Sequence, residues 1–205
     1  MYPTIPQMLY EKAKNSPNAA LQYSKNSKGV FQPVTYAEFA ELALNFGAGL
    51  VSLGANPGEH IGLIADNRKE WLVSSVGIMS AGCCDIPRGS EATVKDLSYI
   101  LSFAGCRIIV VENSSSYGKI VECRSELKDL EHIVVIDKKN VDTEAAGVKV
   151  LSYDEVISLG KEYRNLNPGK IEETVKNGKE DDTATIIFTS GTTGTPKGLK
   201  EFPKP

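Results

Sequence analysis

Four short apolar runs recur through the middle of the chain: His60-Ile61-Gly62-Leu63-Ile64, Cys83-Cys84-Asp85-Ile86, Arg107-Ile108-Ile109-Val110-Val111 and His132-Ile133-Val134-Val135-Ile136. Their apolar character is nearly continuous rather than alternating, as in strands buried on both faces. They lie about 25 residues apart, with apolar residues at helical spacing between them. Parallel strands need crossovers of a dozen or more residues, usually helical. The pattern therefore predicts right-handed βαβ units and an α/β fold: a mostly parallel sheet flanked by helices on both faces. At 205 residues, 41% of them hydrophobic, the chain can bury the core this requires.

Local signals place the helices. Thr35-x-x-Glu38 is a capping box, in which each side chain satisfies an orphan backbone donor. Behind it Phe39, Leu42, Ala43, Phe46, Leu50 and Leu53 form one apolar stripe, and Gly54 is placed to end it. Asp66 or Asn67 is expected to cap a helix carrying Trp71, Leu72, Val76 and Met79. Thr93 caps one carrying Val94, Leu97, Ile100 and Leu101, and a further helix is expected over 116–127. Ser152-x-x-Glu155 opens a helix that ends by Asn167-Pro168-Gly169. Near the start, a short helix over 4–16 precedes a hairpin of Ala20–Tyr23 and Val30–Val34, with Pro33 marking a sheet edge. Residues 138–147 read as a polar loop, Val148–Leu151 as one more strand, and the charged stretch 171–182 as an exposed connector.

That connector leads to Thr183-Ala184-Thr185-Ile186-Ile187-Phe188-Thr189-Ser190-Gly191-Thr192-Thr193-Gly194-Thr195-Pro196-Lys197-Gly198, a β-branched strand running into glycines and hydroxyls that finish on a lysine. Glycines let backbone N–H groups approach a ligand closely. Successive N–H groups in such a turn form an anion-binding concavity, and hydroxyls add donors. Lys197 supplies a point charge suited to phosphate. A flexible linker is the bland alternative, but linkers rarely follow directly on a buried-looking strand. A P-loop needs Gly-Lys-[Ser/Thr] and a following helix. Here Pro196, which has no N–H, precedes the lysine, and Gly198, which has no hydroxyl, follows it. The P-loop pattern is therefore not met.

From Thr189 to Gly198 the loop resembles, at every position, the phosphate-binding signature of the AMP-forming adenylating enzymes. The likeness extends upstream through Thr35-Tyr36-Ala37-Glu38 and Gly77-Ile78-Met79-Ser80-Ala81-Gly82. Asn67-Arg68-x-Glu70-Trp71 and Asp85-Ile86-Pro87-Arg88 look most like the long-chain fatty-acid–CoA ligase branch. The resemblance implies a two-step reaction, in which a fatty-acid carboxylate is adenylated by ATP and coenzyme A then displaces AMP. It implies that Thr189, Ser190, Gly191, Thr192, Thr193, Gly194 and Lys197 hold the ATP phosphates, with Lys197 as the candidate catalytic residue. Mg2+ would bridge the phosphates through a carboxylate from a later motif, so no metal ligand is expected within this sequence. Residues 1–198 would be the N-terminal, incomplete part of the adenylate-forming domain. Residues 199–205 depart from the family's continuation, and the chain alone is not expected to complete adenylation. A non-catalytic remnant or interaction module, and a ligase for another acyl or aryl acid, are the alternatives.

The remaining signals exclude more than they add. With 23 Lys and Arg against 26 Asp and Glu there is no basic surplus for nucleic acid. No apolar run approaches the ~20 residues of a membrane span, and no basic amphipathic helix supports peripheral membrane contact, although fatty-acid substrates are compatible with one. Self-association through uncovered apolar surface of an incomplete domain is a further expectation. The N-terminus lacks a secretory pattern. Cys83, Cys84, Cys106 and Cys123 make no C-x-x-C pair, so reduced thiols in a cytoplasmic core are expected. His60, His132 and Trp71 read as structural, Cys83 and Cys84 as facing opposite sides of a strand, and Arg88 as a solvated surface residue.

Overall fold

The computed structural model describes residues 2–25 and 28–189, and the backbone of 197–201. Strands β3 (His60–Ile64), β4 (Cys84–Arg88), β5 (Ile108–Val111) and β6 (His132–Val135) occupy the four recurrent apolar runs. They join β7 (Lys149–Ser152), β8 (Thr185–Thr189) and β9 (Lys197–Glu201) in one sheet of order β7-β6-β5-β3-β4-β8-β9. All neighbours are parallel except β8 and β9.

Alternate residues of the strands feed two cores. On one face Ile61, Leu63, Ile108, Val110, Val134 and Leu151 pack beneath α2 (Tyr36–Ser52), α3 (Lys69–Ser80) and α6 (Tyr153–Leu166). On the other Ile64, Ile109, Val111, Ile133 and Val135 meet α4 (Val94–Phe103) and α5 (Ser114–Glu122). Cys83 enters the first core and Cys84 the second, as the period of a strand requires.

Helix α2 exceeds the expected stripe. Residues 43–50 are all buried, because α3 and α6 clasp the helix from two sides while a third faces the sheet. Small residues permit that approach: a Cβ on Gly160 would run into the Asn45 carbonyl oxygen. The capping boxes at Thr35, Thr93 and Ser152 are all formed.

Three expectations need correction. The hairpin of β1 (Ala20–Lys25) and β2 (Phe31–Thr35) is a separate two-stranded sheet rather than an addition to the edge of the large one. Its polar, largely exposed strands pack beside α2 and the start of α3. Helix α3 begins at Lys69 with Arg68 as its N-cap and no side-chain cap bond, because Asp66 is engaged elsewhere. The presumed connector contains helix α7 (Lys170–Asn177), whose Ile171 and Val175 lie four residues apart and are both buried. No helix of the described residues is long and apolar enough to cross a membrane.

Candidate functional site

In a parallel sheet every strand delivers its following loop to the same edge. Helix α3 leaves β3 toward one face and α4 leaves β4 toward the other, so a crevice opens beyond the ends of this pair. Ala65, Asp66, Asn67, Trp71, Pro87, Arg88 and Gly89 line it, around about 500 Å³ of open space. Strand β8 ends on this same edge, beside β4, and turns there into the candidate phosphate loop.

The loop's two ends are described. Strands β8 and β9 are antiparallel, with Thr189 paired to Lys197 and Phe188 to Gly198. The ladder therefore holds Thr189 and the backbone of Lys197 side by side. Thr189 is exposed at the strand end. Ser190, Gly191, Thr192, Thr193 and Gly194 lie outside the described residues, as does the side chain of Lys197.

A series of polar clasps runs along this edge. The Glu112 carboxylate, just after β5, accepts from the backbone N–H of Asp66 at 2.8 Å. The Asp66 carboxylate accepts from the Ser90 N–H at 2.9 Å and its hydroxyl at 2.6 Å. Those bonds hold the Asp66 carboxyl below the usual carboxylate range. Lys119 donates to the carbonyls of Ser90 and Ala92 at 2.7 and 2.9 Å, pinning the β4–α4 loop from behind. Arg88 completes the series: its Nη1 donates to the Phe188 carbonyl at 3.0 Å. Phe188 is buried, with the edge of its ring against Phe103.

Arg88 is thus half-buried and bonded across strands, not a solvated surface residue. The sequence held a signal for this. Pro87, which cannot donate to a ladder, sits inside β4, and a long-armed donor follows it.

The other singled-out residues have structural settings. His60 bonds the Ala104 carbonyl through Nδ1 at 2.8 Å. Burial lowers the pKa of His132 at the start of β6. Trp71 is half-buried against the first core and also lines the crevice. All four cysteines are buried, and burial pushes Cys83 and Cys106 up to about 12 and Cys123 to about 11. Thiols so shifted are poor nucleophiles at neutral pH. Among the described residues no group of three His, Cys, Asp or Glu side chains could hold a metal ion.

Solved structures share this fold. The anthranilate CoA ligase AuaEII, in complex with anthranoyl-AMP, superimposes with a TM-score of 0.77 at 23% identity, over 98% of this chain and 35% of that one. The adenylation–carrier didomain of carboxylic acid reductase from Segniliparus rugosus, in complex with AMP, gives 0.75 at 20% identity, over 98% and 32%. The architecture is that of the adenylation domains. The family profile described as AMP-binding enzyme matches residues 9–200, and the chain belongs to that family. A chloroplastic long-chain-fatty-acid–acyl-carrier-protein ligase of Arabidopsis thaliana is 36% identical over 171 residues, 81% of this chain and 24% of its own. The long-chain-fatty-acid–CoA ligase ACSBG2 of Homo sapiens is 28% identical over 202 residues, 96% of this chain and 28% of its own. The chain thus spans about a quarter of the length of these relatives.

Proposed function

We propose that this chain is the N-terminal portion of an AMP-forming acid–thiol ligase acting on long-chain fatty acids. Its part is to present the loop from Thr189 to Lys197 to the β- and γ-phosphates of ATP. The observation that carries this reading is that Thr189, the first residue of the Thr189–Gly198 motif, ends β8 at the carboxyl edge of the sheet, in a chain matched to the family over residues 9–200. In the proposed reaction a carboxylate oxygen attacks the α-phosphorus and pyrophosphate departs; a thiolate then attacks the acyl carbonyl and AMP departs. Negative charge grows on the leaving pyrophosphate in the first step. Donors already aimed there stabilise that transition state without reorganising. Ser190, Thr192 and Thr193 would supply hydroxyls, Gly191 and Gly194 close backbone approach, and Lys197 a positive charge.

Mg2+ would supply further charge neutralisation on the phosphates. Its protein carboxylate is assigned, on the family resemblance, to a later motif outside residues 1–198. The thiol is coenzyme A in the first reading. A carrier-protein thiol is the second, favoured by the 36% identity to an acyl-carrier-protein ligase against 28% to a CoA ligase. A cytoplasmic setting is part of the same proposal, supported by four buried cysteines that form no disulfide.

Calorimetric titration of ATP into the chain tests the loop. Saturable binding is expected, with Lys197→Ala weakening it about tenfold, in the range of one charge-assisted contact. Absence of ATP binding, or binding indifferent to Lys197→Ala, overturns the reading. ATP–pyrophosphate exchange driven by a long-chain fatty acid, with only this polypeptide present, would refute the expectation that it cannot complete adenylation alone.

A further inference from the structure

We propose that Arg88 is the positioning residue of the phosphate loop. Its guanidinium holds β8 beyond the point where Pro87 interrupts the β4–β8 ladder, and so sets the strand end from which Thr189 enters the loop. The inference rests on the phosphate reading of that loop.

The direction of each backbone group in β4 carries the argument. Asp85 turns toward β8, donating its N–H to the Ala184 carbonyl at 3.2 Å. Groups on successive strand residues face alternate neighbours, so Arg88 faces β3, where its carbonyl accepts from the Ala65 N–H at 3.1 Å. Pro87 must then face β8, and it has no N–H to offer. The ladders record the result. Strands β3 and β4 pair from His60↔Cys84 through to Ile64↔Arg88, whereas β4 and β8 register only at Asp85↔Thr185.

Past that bridge β4 and β8 register no further pair: the Ile186 carbonyl lies where a Pro87 N–H would have met it, and the Phe188 carbonyl lies two residues further on, where β8 approaches the loop. The Arg88 side chain spans the opening and reaches the Phe188 carbonyl, one residue before Thr189. Its Nε is buried without a partner among the described residues, so the head is held at this seam rather than spread into solvent. A charged donor to a carbonyl is a stronger clasp than a neutral ladder bond. The clasp is also the last in the series from Glu112 through Asp66 and Ser90, so the loop's entry is referenced to the buried centre of the sheet.

The test uses the 205-residue chain with inorganic tripolyphosphate and ATP as probes, read by calorimetry, and amide hydrogen exchange of β8. Arg88→Met is expected to weaken both probes about tenfold, the loss of one charged hydrogen bond, and to speed exchange at the end of β8. Pro87→Val restores the donor that the register aims at the Ile186 carbonyl and extends the β4–β8 ladder toward the loop, so the double variant Pro87→Val/Arg88→Met is expected to recover most of the affinity and the slow exchange. Arg88→Gln keeps a side-chain donor, serves where Arg88→Met does not fold, and is expected to lose less. Unchanged exchange or affinity in Arg88→Met overturns the proposal. A loss that Pro87→Val does not restore also overturns it, and makes Arg88 a direct ligand contact. If the wild-type chain binds neither probe, the phosphate reading fails, and the role given to Arg88 falls with it. If Lys197→Ala behaves as expected while Arg88→Met binds normally, the positioning role alone fails.

Discussion

The centre of the sheet and its β8–β9 side are built from similar residues under opposite rules. Strands β3 and β5 are paired along their full length, with Ile61 and Ile108 in one core and Ile64 and Ile109 in the other. Strand β8 buries Ile186 and Phe188 on one face, but on the opposite face Ile187 is 40% exposed. Nearby Phe103 is 71% exposed, stacked on Tyr99. One region is held by burial from both sides. The other is joined to the sheet by one backbone bridge, the Thr185 and Arg88 side-chain bonds, and Ile186 and Phe188 buried on one face. Local opening is expected to cost less at the end of β8 than at the centre of the sheet.

The largest expected effect probes the scaffold's tightest contact. Gly160→Val places a side chain against the Asn45 backbone, which the α2–α6 clasp cannot yield. A cost of about 3 kcal/mol or more is expected from such overpacking, seen as loss of the cooperative urea transition. A stable variant would show that the two helices can part, and would break the contrast at its rigid end.

Next comes the same deletion on the two sides. Ile109→Ala in the centre is expected to cost about 2–5 kcal/mol, against less than about 1 kcal/mol for Ile187→Ala. Urea denaturation of both variants measures the difference. Equal losses would mean that β8 is as well covered as β5.

The smallest effect lies at the seam itself. Burial raises the pKa of the Asp85 carboxyl, although bonds from Ser75 and Thr185 oppose it, and Oδ1 has no partner among the described residues. A raised carboxyl pKa means that the folded state binds its proton more tightly than the unfolded state does. Its stabilisation is full below the unfolded carboxylate value and is lost as pH rises through the folded one. Asp85→Asn imitates the neutral acid and can still accept from Ser75. It is expected to raise the melting temperature at pH 7 by about 2–4 °C, roughly 1 kcal/mol in a chain of this size, with the gain vanishing toward pH 4. A gain that is the same at both pH values would place its origin elsewhere.

Much of this was legible in the residues. The apolar runs announced the parallel strands, and Thr35, Thr93 and Ser152 announced their helices, because a cap is a local event between a side chain and the turn beside it. Helix α7 was legible too, through Ile171 and Val175, but its charge and the Asn177-Gly178 pair masked it. The cap expected of Asp66 failed for a nonlocal reason: Ser90 competes for the same oxygens from another loop.

By itself the sequence determined the fold class, the family and the chemical character of the loop, all of which follow from period, turn chemistry and an unbroken motif. Tertiary structure decided which strands became neighbours, and that decision made Arg88 matter. A proline costs a strand only the bond it would have made with its particular neighbour. Once β8 lies on that side of β4, the ladder stops short of the entrance to the loop, and the guanidinium next along the chain reaches across to the Phe188 carbonyl.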